Sequence, residues 1–233
     1  MWKRHLGFSI SFGIIALLNL LSETMPQHDM RLVVKPLICI LLFTYLATIT
    51  RLTGTFRKLI FTGLCFSFIG DCVLILANKS PHFFTAGLVA FLIAHIFYSI
   101  AFYRDFKKDP MASKKYGNAM LFIMGIFSIT YYAFLRNYLG DMRLPVLLYI
   151  FVISMMAILA GYRYMRINML SFNLIYVGAI LFVISDAALA YNKFVSAYPY
   201  SGVLIMGTYM VAQYLITMGA IERKVPGQVK TVY

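Results

Sequence analysis

Charge is scarce in this chain, and acid is scarcest of all. Only 12% of the 233 residues are charged, and Asp and Glu together number eight. So thin a polar coat cannot clothe a water-soluble domain that is 61% hydrophobic. A mean hydropathy of +0.80 makes lipid the solvent. Cysteine is limited to Cys39, Cys65 and Cys72, all inside apolar runs and with no C-x-x-C, which argues against a disulfide framework or a zinc knuckle. Such thiols read as small apolar groups. The ~10-residue alternating segments of a transmembrane β-barrel are missing too. Continuous apolar runs remain, and they predict an all-α bundle in which each span satisfies its own backbone.

Eight spans of about 20 residues can be marked, at 6–22, 32–50, 58–77, 83–103, 118–136, 144–162, 171–191 and 201–221. They make residues 1–233 one integral membrane domain. The first run resembles a signal peptide, but its exit at 22–26 offers no small-x-small cleavage site, so it is read as a retained span. The net charge of +13 forms no single patch of the kind nucleic acid would need. Fifteen Lys and Arg fall in the segments on the amino-terminal side, five fall on the other, and Lys35 lies within a span. The positive-inside rule then puts both termini in the cytoplasm of a multi-pass cell-membrane protein.

An internal echo joins the third and seventh spans. Phe68-Ile69-Gly70-Asp71, with Leu74 and Asn78-Lys79 beyond it, is matched by Val183-Ile184-Ser185-Asp186, with Leu189 and Asn192-Lys193. A four-plus-four parallel repeat about an axis along the membrane normal would produce it, as in some transporters. Such a repeat brings the two aspartates together.

The polar residues inside the spans fall into stripes at helical spacing. Gly63, Ser67, Asp71 and Asn78 share one face; Gly87, Phe91, His95, Tyr98 and Phe102 share another. Gly178 and Phe182 lead to Asp186, and Gly202, Met206, Tyr209, Gln213 and Thr217 line the last span. An ionisable group at this depth marks a site unless it is bonded structurally to its neighbours. Two carboxyls in one dry pocket divide their protons, one kept as an acid and the other ionised, which suits acid–base hydrolysis. His95 taken alone reads equally well as a bonded core histidine, and Tyr149, Tyr209 and Gln213 as interhelical hydrogen bonds. Lys35, followed by Pro36, either snorkels to the outer interface or meets an aspartate or a lipid phosphate. Zinc needs about three ligands, and His5, His28 and His82 lie at the amino terminus or in outer loops, so no metal is expected.

With these residues laid out, the chain resembles the YhhN-like family of lysoplasmalogenases. The resemblance rests on Lys35-Pro36, Gly70-Asp71 with Leu74, and Phe83, Gly87, Phe91, His95 and Tyr98. It continues through Pro145 and Tyr149, Gly178-Ala179, Ser185-Asp186 with Leu189-Ala190, and Tyr209 with Gln213. It implies a multi-pass hydrolase of eight helices that cleaves the vinyl ether of a lysophospholipid and needs no cofactor. Asp71 and Asp186 are then the expected acid–base pair, with His95 and Tyr98 beside them. Lys35, Tyr149, Tyr209, Gln213 and Ser67 are the expected substrate contacts. Two other classes stay open at this point. A proton-coupled transporter would use the same buried acids, though it would favour helices broken at the site. A metal-dependent lipid hydrolase of the ceramidase kind would need more histidine in the spans.

Overall fold

The computed structural model describes residues 2–24, 28–77 and 79–226. Among them are eight long helices and no strand: α1 (Trp2–Thr24), α2 (His28–Thr50), α3 (Thr55–Ile75), α4 (Pro81–Phe106), α5 (Lys115–Leu135), α6 (Arg143–Gly161), α7 (Met169–Phe194) and α8 (Ser201–Ile221). Every one is long and apolar enough to cross a membrane. This is a multi-pass membrane protein.

Two hairpins form the spine, α3 against α4 and α7 against α8. Their close approach follows from small residues at the contacts. A Cβ on Gly70 would come within 2.6 Å of the Phe91 ring, and one on Gly178 within 3.0 Å of the Ala212 carbonyl oxygen. The hairpins are tied crosswise, since α4 packs on α6 and α8 packs on α2. That exchange is what a pseudo-two-fold axis between the halves produces. Helices α6 and α8 are the most buried, while α5 leans on α6 from outside and shows Phe122 and Ile129 on its surface.

Most charge sits at the helix ends, but ionisable groups are buried toward both ends of the bundle. The helices' amino-terminal-side end holds Asp105, fully buried and bonded to both Arg163 and Arg223. His5 belongs to that end as well. It lies near the amino terminus, as the sequence places it, and is 2% exposed, with Nδ1 2.6 Å from the Tyr45 hydroxyl and Nε2 2.7 Å from Glu222. It therefore ties α1 to α2 and to the end of α8. At the opposite end stand Asp71 and Asp186.

Candidate active site

Asp71 lies one turn from the end of α3 and Asp186 two turns from the end of α7. They lie within electrostatic reach of each other, but each keeps its own set of partners. The Tyr209 hydroxyl donates to Asp71 Oδ2 at 2.7 Å, and the Cys39 thiol stands 3.4 Å from the same oxygen. Lys35 Nζ reaches to 3.9 Å from Asp71 Oδ1. Asp186 Oδ2 accepts a 2.5 Å hydrogen bond from the Tyr149 hydroxyl. His95 Nε2 is 3.8 Å from that oxygen, beyond hydrogen-bond length. Its ring is held edge-on between Tyr149 and Phe182.

The remaining candidates form a layer behind the carboxyls. Tyr98 donates to Gln213 Oε1 at 2.8 Å, and Gln213 Nε2 reaches back to the Tyr209 hydroxyl at 3.4 Å. Ser67 lies against the Tyr98 hydroxyl. All three are fully buried. Tyr98 and Gln213 brace Tyr209, and through it Asp71, and none of the three is among the walls of the two cavities beside the carboxyls. Asn78, placed on the same stripe by its spacing, lies outside the described residues. Cys39 corrects the reading of the thiols as inert apolar groups, because it touches both Asp71 and the Tyr209 hydroxyl, at 3.3 Å from the latter. Only its position in α2 above Lys35-Pro36 could have hinted at that.

Two cavities of opposite character meet here. One is a polar vestibule of about 540 Å³ at the end of the bundle opposite Asp105, lined by Lys35, Glu23, Asn192, Tyr200 and Ser201 among others. The other is an apolar slit of about 40 Å³ walled by Phe84, Phe127, Ile153, Val183 and Ala190, with Tyr149 and Asp186 on its side. Leu189 belongs to both walls. Asp186 thus lines the apolar slit, while Asp71 is buried behind the vestibule's Lys35.

The YhhN family profile matches residues 30–220, which is most of the chain. The protein belongs to the YhhN family. Human lysoplasmalogenase TMEM86A is 35% identical over 170 residues, covering 72% of this chain and 67% of its own. The bovine TMEM86A is 33% identical over 199 residues, covering 82% and 77%. Rat lysoplasmalogenase TMEM86B is 30% identical over 189 residues, covering 81% and 71%. No solved structure matches the chain. The family match spans α3, α4, α7 and most of α8, so every residue around the two carboxyls falls within it.

Proposed function

We propose that this protein is an intramembrane hydrolase that cleaves the vinyl ether of lysoplasmalogen-type lysophospholipids, releasing a fatty aldehyde and a glycerophospho-base. The carrying observation is a pair of intramembrane carboxyls, Asp186 on the slit and Asp71 beside the vestibule's Lys35, in a chain whose relatives are lysoplasmalogenases. A lysolipid has a polar headgroup for the vestibule and one hydrocarbon chain, whose first carbons would enter the slit. Its ether bond then falls beside Asp186 and Asp71, and Lys35 is placed to meet the headgroup phosphate.

The chemistry needs a proton on the vinyl carbon distant from oxygen, an anion beside the oxocarbenium ion that results, and a base for the attacking water. The hemiacetal so formed collapses to aldehyde and alcohol, and one water is consumed. Asp71 faces the Lys35 ammonium and accepts from the Tyr209 hydroxyl and the Cys39 thiol. It is the anion and the base. Asp186, on the apolar slit beside His95, is the proton donor, and His95 relays the proton back to it. The division resembles that of the two carboxyls in glycoside hydrolysis. Tyr149 and Tyr209 hold the two carboxyls in place, and Tyr98, Gln213 and Ser67 hold Tyr209. The chain forms one integral membrane domain in the cell membrane, with both termini cytoplasmic and the vestibule facing outward, as the distribution of Lys and Arg supports.

The decisive assay is aldehyde release by purified protein from a lysoplasmalogen, compared with the saturated-ether analogue. Turnover of the vinyl ether alone is the expected result. No turnover of either lipid, or equal turnover of both, would sink the reading. Tyr149→Phe deletes a hydrogen bond to a carboxyl, worth ~1.5–3 kcal/mol, and is expected to lower kcat by about 10–100-fold with KM little changed. A wild-type kcat would remove Tyr149 from the site. Ala190→Phe narrows the slit, and its expected signature is a KM raised about tenfold for long chains but not for short ones, read from a chain-length series.

A further inference from the structure

The opposite end of the bundle carries a second polar hollow that the chemistry above leaves unused. It holds about 750 Å³ and opens where the start of α3, the end of α4 and the stretch after α8 converge. Arg57, Arg104, Lys107, Lys108, Arg223 and Lys224 line it, and no carboxylate is among its walls in the described residues. The acid nearest these cations in the bonding pattern, Asp105, is fully buried and is already shared between Arg163 and Arg223. The charge of the hollow is therefore largely unbalanced.

Two of the cations are fixed in place and cannot swing away from one another. Arg223 is bonded to Asp105 and lies over the Phe56 ring, 4.3 Å from its centroid. Arg57 donates to the carbonyls of Ala220 and Ile221 at 3.4 and 3.5 Å, and to the Thr53 hydroxyl at 2.9 Å. Lys108 stands beside Arg223 and Arg104, with Asp105 as the opposing charge near it. Like charges are thus crowded here, and an anion between them would relieve the repulsion.

The positive-inside rule explains why basic residues gather at this face of the membrane. It does not explain why three separate segments direct six of them into one hollow, with two anchored by bonds to buried groups. Along α3 the hollow lies about 22 Å from Asp71, at 1.5 Å per residue, so it is separate from the hydrolytic site. Its mouth lies at the level of the helix ends, where lipid headgroups and water are both in reach.

We infer that this hollow binds a phosphate group, carried by the headgroup of an anionic phospholipid or by a soluble phosphate compound.

The test compares wild type with the triple variant Arg104→Gln, Lys107→Gln, Lys108→Gln, whose three side chains are all exposed. Both proteins are placed in phosphatidylcholine nanodiscs, and binding of phosphatidic acid and of inorganic phosphate is measured at low and at physiological salt. Wild type is expected to bind at least one of the two anions at least tenfold more tightly than the triple variant, and more weakly as salt rises. Tighter binding of phosphatidic acid assigns the site to a lipid headgroup, and equal affinity assigns it to a soluble phosphate. Aldehyde release by the triple variant in pure phosphatidylcholine should match wild type, which establishes that it folds. Asp186→Asn should bind both anions as wild type does, whatever the outcome of the hydrolase assay. The inference is overturned if neither anion binds wild type, or if the triple variant binds as tightly.

Discussion

Asp186→Asn is expected to lower aldehyde release by about 10³-fold or more, in a protein that still elutes as wild type from a sizing column. The amide keeps the shape of the carboxyl and can still accept from the Tyr149 hydroxyl, so packing is spared. What it loses is a proton that can be delivered to carbon. General acid catalysis is typically worth 10²–10⁴-fold. Asp71→Asn is expected to do comparable damage for a different reason. It leaves Lys35 facing a neutral amide and removes the anion from beside the developing cation, an electrostatic contribution of similar size. Because the two groups act as a unit, the double variant should be scarcely worse than either single one. Near-normal turnover in either folded variant would discard the carboxyl mechanism, whatever the fate of the family assignment.

The second large effect falls on stability. Asp105→Ala leaves the Arg163 guanidinium, fully buried between the rings of Phe56 and Phe102, with only the Ser171 carbonyl and hydroxyl as partners. Removing one member of a buried ion pair costs about 3–5 kcal/mol, because the other charge stays behind. A fall of many degrees in the melting temperature in detergent is expected, far beyond that of Lys108→Gln at the exposed rim. The paired replacement of Asp105 and Arg163 by Leu and Met should recover most of the loss, since no charge is then stranded. If Asp105→Ala melts with the wild type, the Asp105 lattice does not hold the end of α8 to α4.

The sequence disclosed what physical chemistry makes conspicuous. Asp71, Asp186 and His95 stand out because ionisable groups inside apolar runs are rare, and the eight helices because lipid leaves a chain few options. The bonding partners were less visible. Tyr209 is marked by the stripe of the last span and Tyr149 by the resemblance, but among 17 tyrosines nothing in the spacing says that these two bond to the carboxyls. Cys39 passed as a small apolar group because a thiol's partners are set by tertiary approach. Asp105, Arg163 and Arg223 lie near span ends, where charge is ordinary, so their burial left no trace in composition.

The internal echo reaches further than the short motif suggested. Tyr98 and Gln213 are 115 residues apart and bonded to each other; the same offset relates Asp71 to Asp186, Gly63 to Gly178 and Gly87 to Gly202. The matched positions have nonetheless diverged in chemistry. On one side α2 brings Lys35 to Asp71, while on the other α6 brings Tyr149 to Asp186. The two acids thus have unlike surroundings, one facing a cation and a thiol, the other a tyrosine and an apolar slit.

Leu189, shared by the vestibule and the slit, carries one more consequence. In the proposed pose the severed bond lies on the divide between water and hydrocarbon. The two fragments then depart in opposite directions, the glycerol moiety outward into solvent and the aldehyde sideways into the bilayer. Neither has to wait for the other to clear the way, and their separation into different phases makes rejoining negligible.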